Sequence, residues 1–205
     1  MAQIDRSNGY EAVAEVYIAG RGTGGTLGAR QVRDWAQRLP RGASVLDLGC
    51  GNGVPISRAL FDSGLAVYGV DASATMIAAF RARFPQAPAE CNAAEDSDFF
   101  GRTFDGVVAW GLMFLLAPEA QALVIGKVAR ALKPGGRFLF TSTGQAASWV
   151  DGMTGLPSVS LGAERYAELL QAEGLALVEQ LRDPGDNHYY HSVKGPEGQP
   201  ASKST

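Results

Sequence analysis

Apolar residues at Tyr10, Val13, Ala14, Tyr17 and Ile18 recur at i, i+3, i+4, i+7 and i+8, the stripe of an amphipathic helix over residues 8–19. The stretch Gly20-Arg-Gly-Thr-Gly-Gly ends it, because each glycine costs a helix roughly 1 kcal/mol against alanine. A second helix is expected over 26–38, closed by Pro40-Arg-Gly. From Ser44 the pattern changes. Short apolar runs at 44–48, 66–70, 104–110 and 137–141 predict strands, with a weaker one at 88–91. Between them, helices are expected over 55–62, 74–84 and 118–132, with Pro55 and Pro118 tolerated in first turns. Strands alternating with helices predict an α/β domain with a mostly parallel sheet.

The end of the chain reads differently. A helix over 163–173 is closed by Gly174, and two strands, 175–181 and 187–193, flank the turn sequence Asp183-Pro-Gly-Asp. This hairpin should add antiparallel pairing to the sheet. The connection 143–162 has no clear period and is expected as a long loop. Residues 195–205, rich in Gly, Pro, Ser and Lys, are expected to be disordered. The expected organisation is one domain over 1–194: an N-terminal helical cap (about 1–40), a core (41–142), and a loop, helix and hairpin on the substrate side (143–194).

Composition narrows the function classes. With 46% hydrophobic and 19% charged residues, the chain can form a core. Eighteen Lys and Arg against 21 Asp and Glu leave a net charge of −3, which disfavours a nucleic-acid partner. Cys50 and Cys91 make neither a disulfide framework nor a metal-ligand set, which fits a reducing, cytoplasmic compartment. No basic segment followed by an apolar stretch opens the chain, and the apolar run Gly106–Ala117 is too short for a bilayer, which needs about 20 residues. No membrane partner and no metal are expected. The 26 glycines exceed the usual share, and their placement carries the chemistry.

Val45-Leu-Asp-Leu-Gly-Cys-Gly-Asn-Gly runs a strand into a three-glycine turn before a helix. Glycines at 49, 51 and 53 permit positive φ and remove the Cβ that would keep a ligand off the backbone. The dinucleotide fingerprint G-x-G-x-x-G/A fails here: its third position falls on Val54 or Ile56. Asp47, two residues before the first glycine, disfavours a pyrophosphate and suits a cationic group. Without a ligand, the same turn would be a tight strand-to-helix connection. Asp71 ends the next strand, 18 residues after Gly53. A carboxylate there matches a ribose diol; helix capping is the competing role, which Ser73 can also fill.

These segments resemble the class I S-adenosylmethionine-dependent methyltransferases of small-molecule type, over about residues 40–142. The resemblance implies a Rossmann-like, seven-stranded, mostly parallel sheet with an antiparallel last hairpin. It also implies S-adenosyl-L-methionine as cofactor and S-adenosyl-L-homocysteine as product. The turn formed by Gly49, Cys50, Gly51, Asn52 and Gly53 would wrap the methionine part, with Asp47 near its amino group. Asp71 would hold the ribose, with Ala72, Ser73 and Met76 following in the pattern Asp-x-Ser-x-x-Met. In Cys91-Asn-Ala-Ala-Glu-Asp the usual acid is replaced by Ala93, so Ala94 by its backbone, and Glu95, are the adenine candidates; Glu95 also reads as part of a solvated first helical turn. Trp110 and Gly111 would stand beside the transferable methyl, unless Trp110 is a core aromatic. The family's Asn/Asp-Pro-Pro-aromatic box is absent, which argues against nucleobase and amide nitrogens as acceptors.

The implied activity is methyl transfer to a small molecule at O, N, S or C. The alternatives are a cofactor-binding sensor or partner subunit, and a nicotinamide enzyme. Arg21, in the glycine stretch, would pair with the cofactor carboxylate. Tyr10, Tyr17, Trp110, Trp149, Met153, His188 and Tyr190 are the candidate substrate-side residues. His188 has the right ordinary pKa for a catalytic base, and Tyr17 is the second catalytic candidate. Alternation puts His188 and Tyr190 on one sheet face and Tyr189 and His191 on the other, where they also read as ordinary sheet-surface residues.

Overall fold

The structure, a computed structural model, describes residues 5–21 and 27–196. Its elements follow the predicted alternation: α1 (Tyr10–Arg21), α2 (Ala29–Ala36), β1 (Ser44–Leu48), α3 (Ile56–Asp62), β2 (Ala66–Asp71), α4 (Ala74–Arg83), β3 (Ala89–Cys91), β4 (Phe104–Ala109), α5 (Pro118–Ala131), β5 (Leu132–Ser142), β6 (Ala146–Val150), β7 (Pro157–Leu161), α6 (Gly162–Ala172), β8 (Leu175–Arg182) and β9 (His188–Lys194). Seven strands form one sheet in the order β3-β2-β1-β4-β5-β9-β8. The first five pair in parallel, and β9 runs antiparallel to both β5 and β8. The closing hairpin thus inserts its second strand into the sheet and leaves its first at the edge. The expected α/β class with an antiparallel last hairpin holds.

β1 is buried along its whole length, as a central parallel strand covered on both faces must be. On one face Leu46, Leu48, Val107, Phe138, Phe140 and Tyr190 pack on α5 and α6. On the other, Val45, Val67, Val108, Leu139 and Tyr189 pack on α2 and α3, while Phe80 and Phe84 of α4 and its C-cap extend that layer. The alternation expected along 188–191 is present: Tyr190 stacks on Phe140 at 4.7 Å between centroids, and Tyr189 belongs to the opposite core.

Three expectations need correction. The stretch 143–162 contains an antiparallel hairpin, with Ala146–Val150 paired to Pro157–Leu161. β6 has no period, and β7 alternates in the wrong sense: Ser158 and Ser160 are buried while Pro157, Val159 and Leu161 are not, so no apolar stripe marks a core face. What holds it is tertiary. Gln121 donates from Nε2 to the Leu116 and Val159 carbonyls, both at 2.9 Å, and the Tyr166 hydroxyl donates to Gln121 Oε1 at 2.6 Å. The second correction concerns the cap. Only α1 lies across the strand ends. α2 buries Val32 and Trp35 in the sheet layer, where Trp35 occupies the space a Cβ on Gly106 would fill. Third, α2 is shorter than the 26–38 expected, since Gly28 precedes it with φ +81°. Most of the glycine stretch (22–25) and of the expected disordered tail (197–205) lies outside the described residues.

Candidate functional site

The strand order reverses between β1 and β4, and a crevice opens outside their carboxyl ends, where doubly wound sheets bind ligands. A cavity of about 280 Å³ occupies it. Its walls are the turn after β1, the end of β2, Met76 of α4, the segment 92–95 after β3, the segment 110–116 after β4, α1 with the residues just before it, Leu27 before α2, and Asn187 before β9. A smaller space of about 30 Å³, lined by Cys50, Asn52, Pro55 and Ile56, adjoins it; Tyr17, Gly49, Gly51 and Trp110 line both. Segments from distant parts of the chain therefore meet at one place.

The three glycines of the turn have different reasons. All have positive φ: +68° at Gly49, +52° at Gly51 and +81° at Gly53. A Cβ on Gly49 would stand 3.0 Å from Leu112 Cβ, and one on Gly53 would stand 2.4 Å from the Phe84 ring. Those two let the turn pack on its neighbours. At Gly51 the nearest atom is Met76 Sδ at 3.9 Å, so a side chain there would enter the cavity. The Gly51 N–H donates to Asp71 Oδ2 at 2.8 Å, and the Ser73 N–H donates to Asp71 Oδ1 at 2.8 Å. Asp71 is thereby held at the cavity wall with lone pairs to spare on both oxygens. Burial raises its pKa, against these two bonds and with Glu11 adding to the rise.

Asp47 is buried beneath the turn and lines neither space. Ser57 Oγ donates to its Oδ2 at 2.5 Å, while Oδ1 has no partner among the described residues. Burial pushes its pKa up to about 7, against the Ser57 bond. Asn52 Nδ2 is similarly unpartnered and buried. Cys50 lies in the apolar layer beneath the turn, its thiol pKa pushed well up by burial and the charges of Asp71 and Asp47, so it is filler and not a nucleophile.

The structure separates the remaining candidates. Ala72, Met76, Ala94, Glu95, Trp110, Gly111, Tyr10 and Tyr17 line the cavity. Ser73 does not: its hydroxyl accepts from the Met76 N–H at 3.1 Å and caps α4, and the same hydroxyl donates to Glu11 of α1. Arg21 ends α1, and its side chain lies outside the described residues. Trp149 stands one layer back, its ring 5.5 Å from that of the cavity-lining Phe114. Met153 is exposed beyond the β6–β7 hairpin and does not line the cavity. His188 and Tyr190 do not reach it either. His188 Nε2 meets Gln180 Oε1 on the neighbouring strand at 2.9 Å, burial and the Arg182 charge lower its pKa, and the Tyr190 hydroxyl donates to the Thr143 carbonyl at 2.9 Å. Strand alternation turns both toward the α5–α6 side of the sheet.

Sequence reasoning missed Arg6, Ser7, Asn8, Leu27, Leu112, Phe114, Leu115 and Leu116, all at the cavity; of the segment Asn187-His-Tyr-Tyr-His, expected beside the pocket, only Asn187 lines it. Arg6 donates to Glu95 Oε1 at 2.7 Å and pairs with Asp96 at 3.1 Å. It ties the segment before α1 to the segment after β3 across the cavity mouth. Glu95 Oε2 is left buried without a partner among the described residues. No three-residue metal-ligating cluster exists among the described residues.

The strand order, with parallel strands ending in an antiparallel β9 and β8, is that of a Rossmann-like, seven-stranded sheet. Residues 45–136 match the family model described as methyltransferase domain. The chain is 34% identical over 109 residues to an uncharacterized methyltransferase of Synechocystis, covering 53% of this chain and 51% of that one. It is 38% identical over 109 residues to a cypemycin N-terminal methyltransferase of Streptomyces, covering 51% and 44%. The chain thus spans about half the length of the curated relatives it matches. Among solved structures, the Burkholderia thailandensis 1,6-didemethyltoxoflavin-N1-methyltransferase, with S-adenosylhomocysteine bound, has a TM-score of 0.69 at 21% identity over 95% of this chain and 93% of that one.

Proposed function

We propose that the protein binds S-adenosyl-L-methionine in this crevice and transfers its methyl group to a small-molecule acceptor. The observation that carries the reading is the convergence of a Cβ-free position, Gly51, and a backbone-oriented carboxylate, Asp71, on one cavity wall. The residues fit the cofactor. Asp71 would hold the ribose hydroxyls, Met76 and Ala94 would border the adenine, and the unpartnered Glu95 Oε2 would accept from its amino group in place of the acid that Ala93 lacks. The adjoining small space beside Asn52 would take the methionine end, with Asp47 below it favouring the ammonium by its charge.

When bound, the cofactor supplies an activated methyl group on a sulfonium, so positioning does most of what the protein must do. Trp110 and Tyr17, which line both spaces, would present aromatic faces to that cation. α1 and the Arg6 tie would exclude water from above. The enclosed mouth favours a small acceptor over a macromolecule. Among described residues, no helix is long and apolar enough to cross a membrane, and the two free cysteines suit a reducing, cytoplasmic setting.

Calorimetry with S-adenosylhomocysteine and with NAD tests the reading. Binding of the first and none of the second is expected; binding of NAD alone overturns it. Release of S-adenosylhomocysteine with any acceptor separates an enzyme from a binding-only sensor.

A further inference from the structure

We propose that Asn187 recognises the methyl acceptor, its amide oxygen accepting an N–H of a neutral amine or ring nitrogen, and that Asp183 is the positioning residue that fixes this oxygen and the Trp110 indole together. This rests on the methyltransferase reading above. Asp183, in the turn between β8 and β9, is 6% exposed and collects donors from the turn and the strand. Its Oδ1 accepts from the Gly185 N–H at 2.9 Å, the Asn187 N–H at 3.0 Å and Asn187 Nδ2 at 3.0 Å. Its Oδ2 accepts from Asn187 Nδ2 at 2.9 Å and the Tyr189 hydroxyl at 2.7 Å. Trp110 Nε1 in turn donates to the Tyr189 hydroxyl at 2.9 Å. Burial acts against the charge on Asp183, but these bonds outweigh it and hold its pKa below the usual carboxylate range.

An ionised carboxylate only accepts, so the amide orientation of Asn187 is settled: its NH₂ faces Asp183 and its oxygen faces away. That oxygen has no partner among the described residues, and Asn187 lines the cavity with Trp110. The rest of the acceptor side is Tyr10, Tyr17, Leu27 and Phe114, an aromatic and apolar wall into which the turn itself packs: a Cβ on Gly185 would stand 2.5 Å from Leu27. An acceptor fixed in such a wall selects molecules that can donate to it, because an isostere without the hydrogen forgoes the bond, worth about 0.5–1.5 kcal/mol.

The chemistry favours nitrogen over a hydroxyl. An amide oxygen holds a donor but does not take its proton. In the proposed reading the carboxylates at the cavity face the cofactor, Asp71 the ribose and Glu95 the adenine amino group, and no histidine or lysine is among its described lining residues. A neutral nitrogen needs no prior deprotonation: its lone pair forms the N–C bond, the S–C pair returns to sulfur, and the extra proton then passes to water.

The test is calorimetry on protein loaded with S-adenosylhomocysteine, using indoline and its N–H-free isostere 2,3-dihydrobenzofuran as probes. Indoline is expected to bind about tenfold tighter, the equivalent of one lost hydrogen bond. Asn187→Leu is expected to erase that ratio while keeping S-adenosylhomocysteine affinity. Asp183→Asn is expected to shrink it; a merely structural role would weaken both probes equally and leave the ratio intact. Equal binding of the probes, binding of neither, or a ratio unchanged in Asn187→Leu overturns the proposal, and an unchanged ratio in Asp183→Asn overturns the role of Asp183. Failure of wild type to bind S-adenosylhomocysteine is a separate result that overturns the reading beneath it.

Discussion

At the scale of single residues, Gly51 and Gly53 look equivalent in sequence but answer to different forces. Gly51→Ala places a methyl in open cavity at φ +52°, at a conformational cost of roughly 1–2 kcal/mol. The variant should fold, with S-adenosylhomocysteine affinity reduced about tenfold or more in calorimetry. Gly53→Arg meets the Phe84 ring at 2.4 Å from Cβ alone, and should yield no cooperatively folded protein by circular dichroism. Asp47 sets a pH dependence. Its folded pKa, about 7, lies above the ordinary value of 3.8, so the unfolded chain gives up this proton first as pH rises. The stability of the ligand-free protein should therefore fall from pH 4 toward pH 8, by at most about 4 kcal/mol from this group. Asp47→Asn should flatten that slope in urea titrations at several pH values; an unchanged slope would place the ionisation elsewhere.

At the scale of elements, the cap is held by side chains rather than by a core. Glu11 of α1 accepts from the Ser73 hydroxyl, from Thr75 Oγ1 at 2.7 Å and from the Thr75 N–H at 3.2 Å, and Tyr10 donates to Asp151 at 3.3 Å. Glu11→Ala should cost about 1 kcal/mol globally, since two of its three bonds are solvent-exposed and only that from Ser73 is part-buried. It should raise amide exchange across α1 while leaving β1 and β4 protected; equal acceleration in both would mean the helix is part of the core. The helices and parallel strands were legible because their apolar periods differ. The β6–β7 hairpin was not, because its backbone pairing rests on Gln121 and Tyr166, residues of helices that carry no mark of the contact. His188 misled for a related reason: its chemistry suited a base, and only the register of β9 against β5 shows which way its face turns.

At the scale of the whole molecule, a site assembled from distant segments of the chain should report ligand as global stability. At a hundredfold excess over its dissociation constant, S-adenosylhomocysteine adds about 2.7 kcal/mol, which for a domain of this size raises Tm by about 5–10 °C. A thermal scan with and without it checks this, and a shift with NAD instead would reject the site. The sequence by itself determined the sheet, the glycine turn and the acid at the end of β2, because those depend on local backbone freedom and on apolar periods within a few residues. Only the tertiary structure decided which side chains face the cavity. Arg6, Asn187 and Trp110 meet there through strand order and register, and those are set by how the two layers of helices pack on the sheet, a property no short stretch of chain contains.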